Sequence, residues 1–242
     1  MDTVIGFLVL SVIVAIHEFG HYLAYRKYNV RVKIFSIGFF KLFEFYNYKG
    51  TKFVIGMLPL GGYVYADPED VEKLKPSQHI FVSLAGPMLG LLATIPFVAA
   101  FAHLHEGLPI WKAILLAPIG LIFLSYKIFE LLFIYLGPQI ADSFLHIEKV
   151  KGLSGVSEMA KTTSLEEFVI SFMVSSMAIN LFNLIPVPPL DGGRALISGL
   201  EIVSGKPINP KFVNVVSIVV LLILMIPSLF GIGHEIFNYF IK

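Results

Sequence analysis

The chain contains no cysteine. A disulfide framework is thereby excluded, and so is a thiolate metal site. Any metal has to be held by His, Asp or Glu. Charge is scarce as well: 14% of the 242 residues are Asp, Glu, Lys or Arg, against about 25% in an ordinary soluble domain. The 18 basic and 17 acidic residues nearly cancel, leaving a net charge of +1. That balance gives no electrostatic case for nucleic acid as a partner. No internal repeat and no low-complexity segment is visible. Apolar residues fill the chain instead, at 56%, which specifies an integral membrane protein without room for a large soluble domain.

One apolar run, VIGFLVLSVIVAIHEFGHYLAY (4–25), carries the pattern H-E-x-x-H. His17 and His21 are four residues apart and face the same side of a helix. Two imidazoles so related can hold one zinc ion, with Glu18 beside them as general base. Thirteen residues from Val4 to Ile16 precede His17, and Ser11 alone among them is polar. At about 1.5 Å per residue they cover roughly 20 Å, whereas the hydrocarbon core of a bilayer is about 30 Å thick. His17 therefore lies inside the membrane, nearer one face than the other. Ionisable side chains at that depth are costly and mark function. The competing explanation is a chance motif on a signal-anchor helix, its histidines satisfied by neighbouring helices. Three ionisable residues in one turn, at metal spacing, weigh against it. A cleaved signal peptide is not expected: the run is too long, no basic segment precedes it, and no small-residue cleavage site follows.

Residues 26–77 hold nine of the 18 Lys and Arg residues. The positive-inside rule places the loop 26–78 in the cytoplasm and the N-terminus outside, in a multi-pass protein of the cell membrane. Within the loop, VRVKIFSIGF (30–39) and TKFVIGMLPLGGYV (51–64) read as strands, with KLFEFYNYKG supplying the turn residues between them. Gly61 and Gly62 permit close approach of another backbone or of a substrate. Such a sheet either offers an edge to an extended peptide or simply caps the helices. ADPEDVEKLKPSQ (66–78) reads as a surface loop. Further spans are expected at 79–102, 166–190 and 212–232. Ala85, Gly86 and Gly90 give the first of these a small-residue face suited to close helix packing. His103 and His105 beyond it read as interfacial polar residues. Residues 111–136 are long enough to span, but Pro118 and Gly120 interrupt them.

A catalytic zinc takes three protein ligands and leaves a position for water. Asp191 is the best third ligand, because it follows an apolar span in a Pro/Gly-rich context that can bend back. Pro186, Pro188 and Pro189 forbid a regular helix just before it, and Asn180 and Asn183 lie close by. His79, His146 and His234 sit at span ends or in loops, and Asp67, Asp70 and Asp142 in polar stretches. For Asp191 to reach the cytoplasmic end of the first helix, 166–190 must run from outside to inside. Residues 111–136 are then expected to be re-entrant or interfacial, broken at Pro118 and Gly120. The expected fold is mostly α-helical, with about four complete transmembrane helices (4–25, 79–102, 166–190, 212–232). The membrane-associated segment 111–136 and a small membrane-embedded β-element at about 30–64 complete a single domain over 1–242.

H-E-F-G-H (17–21) and N-L-I-P-V-P-P-L-D-G-G (183–193) together resemble the two motifs of the site-2 protease family of intramembrane zinc metalloproteases, the second having the form N-x-x-P-x-x-x-L-D-G. FSIGF, GMLPLGGYV and AGP (85–87) are similar to the bacterial branch that cleaves membrane-bound anti-sigma factors, and GLSGV (152–156) resembles a loop before that branch's third helix. The likeness covers most of the chain apart from 111–150. It implies Zn2+ as cofactor, His17, His21 and Asp191 as its ligands, Glu18 as catalytic acid/base, and Asn183 as a holder of the substrate strand. Asn180, Gly61 and Gly62 complete the expected substrate contacts. The implied activity is hydrolysis of peptide bonds within or next to transmembrane segments. Its partners are the bilayer and a transmembrane protein substrate, such as an anti-sigma factor or a signal-peptide remnant. Two departures stand out. That branch carries PDZ domains where this chain has nine residues, His103 to Trp111, between apolar runs; neither these nor a C-terminal regulatory domain is expected. Gly90 also stands where AGPxxN has asparagine. The rival readings are an inactive homologue that binds membrane helices and a transporter with a midplane metal site.

Overall fold

Backbone polar groups in lipid must be satisfied internally, so the apolar runs fold as helices. The structure, a computed structural model, describes residues 2–145 and 164–241. In chain order the elements are α1 (Asp2–Lys27), β1 (Val32–Tyr48), β2 (Thr51–Ala66), α2 (Pro68–Val71), α3 (Pro76–Leu104), α4 (Ile110–Leu145), α5 (Leu165–Asn183), α6 (Asp191–Ser204) and α7 (Pro210–Ile241). Among the described residues, four helical stretches are long and apolar enough to cross a membrane: Gly6–Lys27, Pro76–Leu104, Ile110–Leu131 and Leu165–Asn183. The chain is a mostly helical, multi-pass membrane protein with a small β-element. GLSGV (152–156) and His146 lie outside the described residues.

Each crossing helix has one packed face and one apolar face turned outward. On α1, Ile13, Val14, His17, Gly20, His21 and Ala24 point inward, while Leu8, Val12, Phe19 and Leu23 are exposed. Lipid is as apolar as leucine, so burial of the inner face gains little from the hydrophobic effect; close packing of small residues holds the helices together. Gly20 shows how close: a Cβ there would stand 2.2 Å from the Ala85 carbonyl oxygen. α3 is the hub and touches α1, α4, α5 and α6. α5 runs antiparallel to α3, with Phe97 stacked on Phe172, Thr94 bonded to Ser176, and Gly90 against Asn180. Its start lies beside the turn that ends α3, where His105 Nδ1 is 2.6 Å from Glu166 Oε1.

The break expected at Pro118 and Gly120 is corrected. α4 passes Pro118 and Gly120 without a break. Proline removes one backbone bond, and in a membrane helix packed on neighbours that loss is absorbed locally. Ala113, Ala117 and Leu121, spaced four apart, form its buried stripe against α3 and α5, and Leu115, Ile119 and Ile122 face outward. Gly120 is a point of close approach to Val98 rather than a hinge. Residues 146–163, between α4 and α5, lie outside the described residues.

The β-element is longer than its sequence signal. KLFEFYNYKG is not a turn: β1 runs through Tyr48, and the reversal is Lys49-Gly50 alone, with φ 47° and 81°. Positive φ at both central residues suits the twist of a hairpin. A second bend, with positive φ at Gly38 (94°) and Phe40 (56°), divides β1. Beyond it, Lys41–Tyr48 pairs with Thr51–Gly56; before it, Ile34–Ile37 is paired both with Lys52–Ile55 and with Gly62–Tyr65. Among the described residues, 62–66 has ladder partners only in 32–37, so its other edge is open. Tyr22 of α1 packs on Phe35 and Phe53, which fixes the sheet to the helix. The stretch 66–78 is partly helical: Asp67 caps α2, and Arg31 bonds to Asp70.

Candidate active site

α1 supplies two imidazoles and α6 a carboxylate. The chain leaves α5 at Asn183, turns through 184–190, and re-enters helix at Asp191. This reversal is tight enough to require its glycines. A Cβ on Gly192 would lie 2.1 Å from the Leu184 carbonyl oxygen, and one on Gly193 2.2 Å from the Pro188 nitrogen. The first residue of α6 is thereby delivered to the middle of α1. His17 Nε2 is 3.1 Å and His21 Nε2 3.2 Å from Asp191 Oδ2, and the two Nε2 atoms are 3.2 Å apart. Two ligands on a tetrahedral zinc at 2.0–2.2 Å stand about 3.3–3.6 Å apart, close to these spacings. Both histidines are buried. Two neutral nitrogens and one carboxylate oxygen, with no thiolate, form a donor set that fits zinc.

The far side of each ring is also held. His21 Nδ1 is 2.8 Å from the carbonyl oxygen of Val82, which can only accept, so His21 carries its proton on Nδ1 and presents a lone pair at Nε2. Gly86 makes room for that ring, since a Cβ there would stand 2.3 Å from Nε2. The small-residue face of α3 therefore admits a ligand ring as well as a helix. His17 Nδ1 is 2.9 Å from Asn180 Oδ1.

A cavity of about 650 Å³ opens on the site. Glu18, half-buried, lies on its wall with His17, His21 and Asp191. Gly61, Gly62 and Asn183 line it too. Gly62 is pressed between the sheet and α1, where a Cβ would meet the Ser36 carbonyl at 2.7 Å and Glu18 Cγ at 2.9 Å. Gly62, at the start of the stretch 62–66, thus stands against the Glu18 side chain. Asn183 donates from Nδ2 to the Ile179 carbonyl at 3.0 Å. Asn180 is placed differently from the expectation of a substrate contact. It is fully buried beneath the site, and both ends of its amide are engaged inside the bundle. Tyr25 and Arg194 on the wall escaped sequence reasoning, and His79, set aside as a ligand, lines it too. Tyr25 and Arg194 had a signal, lying four residues beyond His21 and three beyond Asp191 on the same helix faces. His79 had none, because only the packing of α3 on α1 and α6 brings it there.

A family model described as peptidase family M50 matches residues 5–227. The chain belongs to that family. Its M50 relatives include a protein of Pasteurella multocida named as a zinc metalloprotease, 38% identical over 121 residues, which are 45% of this chain and 27% of the relative. Another, named likewise in Campylobacter jejuni, is 37% identical over 98 residues, 35% of this chain and 27% of the relative. The protease RseP of Yersinia pestis is 37% identical over 99 residues, 36% of this chain and 22% of that protein. The chain spans about a third or less of the length of the curated relatives it matches. Zinc is the cofactor expected of an M50 chain with relatives so named, and the ligand geometry suits it.

Proposed function

We propose that this chain is an intramembrane zinc metalloendopeptidase that cuts membrane proteins within or next to their transmembrane segments. The observation that carries the reading is the placement of Glu18. It lies on the wall of one cavity with the converged atoms of His17, His21 and Asp191, beside an open sheet edge.

Zinc held by those three side chains supplies a Lewis acid that activates water and polarises the scissile carbonyl. Glu18 takes the proton from the attacking water as the carbon–oxygen bond forms. It then delivers that proton to the leaving nitrogen as the carbon–nitrogen bond breaks. A transmembrane helix hides its amides, so the substrate must be held extended. The free edge of 62–66 offers backbone partners for an added strand, and Gly61, Gly62 and Asn183 line the same cavity. The basic residues of 26–77 support a cytoplasmic β-element and an N-terminus outside. α5 then runs from outside to inside. One relative, in Salmonella typhi, is named a regulator of sigma E protease; a membrane-anchored regulator of transcription is a substrate of the class this site suits.

The test is Glu18→Gln in the full chain, assayed on a model transmembrane substrate with zinc content measured alongside. Cleavage should fall by at least ~10²-fold, the scale of a lost general base, with zinc retained. Wild-type turnover in that variant would refute the assignment.

A further inference from the structure

We propose that Asn180 is a positioning residue for His17, and that Gly90 is glycine in order to admit it. The inference rests on the metal-site reading above. A neutral imidazole carries one proton; for Nε2 to bind a metal the proton must sit on Nδ1, and Nδ1–H then needs an acceptor. For His21 the Val82 carbonyl is that acceptor. For His17 the neighbour is an amide, which presents either an oxygen or an NH2 group, and the orientation has to be decided by its other contacts.

Those contacts decide it. The Asn180 Nδ2 group donates to the Ser176 carbonyl oxygen at 2.7 Å. A carbonyl cannot donate, so the nitrogen must face Ser176, and the oxygen must face His17 Nδ1 at 2.9 Å. The proton of His17 is therefore held on Nδ1 and its Nε2 lone pair is directed toward Asp191 and His21. The Ser176 and Thr94 hydroxyls are 2.9 Å apart, and Thr94 in turn donates to the Gly90 carbonyl at 2.9 Å. The chain Gly90–Thr94–Ser176–Asn180–His17 thus links α3 through α5 to α1.

Space enforces the same arrangement. Asn180 is 0% exposed. A Cβ on Gly90 would stand 2.1 Å from Asn180 Oδ1 and 2.4 Å from its Cγ. The amide fills the volume that any side chain at position 90 would claim. Position 90 is where the AGPxxN pattern calls for asparagine, so one buried amide occupies this space, delivered from α5 instead of α3.

The test uses the full purified chain. Zinc affinity is measured by chelator competition, and the visible absorption of the Co2+-loaded protein reports ligand geometry. Thermal unfolding in detergent checks folding. Asn180→Leu, of similar volume but without an acceptor, should lose zinc affinity by roughly 10–100-fold, as for other outer contacts to ligating histidines. Asn180→Asp keeps the acceptor and should hold zinc within a few-fold of wild type, with an unchanged Co2+ spectrum. Gly90→Ala should weaken zinc binding in the same direction as Asn180→Leu. If Asn180→Leu folds and binds zinc as wild type does, while His17→Ala loses it, the positioning role is overturned and the metal site stands. If His17→Ala also binds zinc normally, the metal-site reading itself fails. The imidazole 15N spectrum of the zinc-loaded wild type keeps the proposal testable should the Leu variant not fold. It should show His17 protonated on Nδ1, and a proton on Nε2 would overturn the inference.

Discussion

Asp191 and Asp70 have similarly exposed carboxylates and behave as opposites. Their side chains are 15% and 16% exposed. Each has nitrogen close by: Asp191 faces two imidazole Nε2 atoms at 3.1 and 3.2 Å, Asp70 the Arg31 Nε at 2.7 Å. The guanidinium is permanently protonated and donates, so Asp70 is satisfied by the protein alone. The imidazoles have their protons drawn to the other side of the ring, by Val82 and by Asn180. What they turn toward Asp191 is lone pairs. Three electron-rich atoms converging at about 3 Å suit a shared cation, the role proposed for them above, whereas the second cluster is a clamp complete in itself. The exposure of the carboxylates does not distinguish the two; the burial of their partners and the location of protons do.

The largest expected effect breaks the comparison at Asp191. Asp191→Ala should lower zinc affinity by more than the roughly 10–100-fold of an outer contact and abolish cleavage, read as zinc per chain and as turnover. Wild-type zinc content would mean that a third ligand lies elsewhere.

A smaller effect sharpens the contrast between binding the metal and binding the substrate. Gly62→Val places a branched side chain against the Ser36 carbonyl and Glu18 Cγ. It should cut turnover roughly 10–100-fold by misplacing substrate against Glu18 while leaving zinc content at wild type. Loss of zinc in that variant would show that the sheet edge supports the metal rather than the substrate.

The smallest effect concerns the clamp. The Arg31 side chain beside Asp70 holds its carboxyl well below the usual carboxylate range. Because the folded-state value is lowered, the contribution to stability is present above about pH 4, the unfolded value, and is lost as pH falls through the folded value. The thermal midpoint of wild type should therefore drop more steeply below pH 4 than that of Asp70→Asn, with little difference at pH 7. Equal acid sensitivity of the two would exclude Asp70 from the acid response.

Much of the site was legible because its spacing is local. His17, Glu18 and His21 lie in one turn of one helix, and the Pro- and Gly-rich stretch ending in Asp191 announces a chain reversal on its face. The hairpin was legible in its existence but not its length, since KLFEFYNY was read as turn although its aromatic residues suit a strand. The break in α4 was misjudged because Pro118 interrupts a helix in water, whereas packed neighbours let it continue in a membrane. Asn180 was expected to touch substrate, and the structure buries it against His17 Nδ1 instead. Which side of the ligand an amide occupies depends on α3, some ninety residues earlier in the chain.

The sequence by itself determined that the protein lives in a membrane, that any metal must be held by nitrogen and oxygen, and that α1 sets His17, Glu18 and His21 within one turn. These follow from composition and from the 3.6-residue period, which are properties of the chain before it folds. Only the tertiary structure decided that Asp191 meets His17 and His21, that Gly86 and Gly90 are spaces for a histidine ring and an amide, and that Gly62 presses against Glu18. Each depends on contacts between residues far apart in sequence, and close approach at van der Waals distance is fixed by packing rather than by pattern.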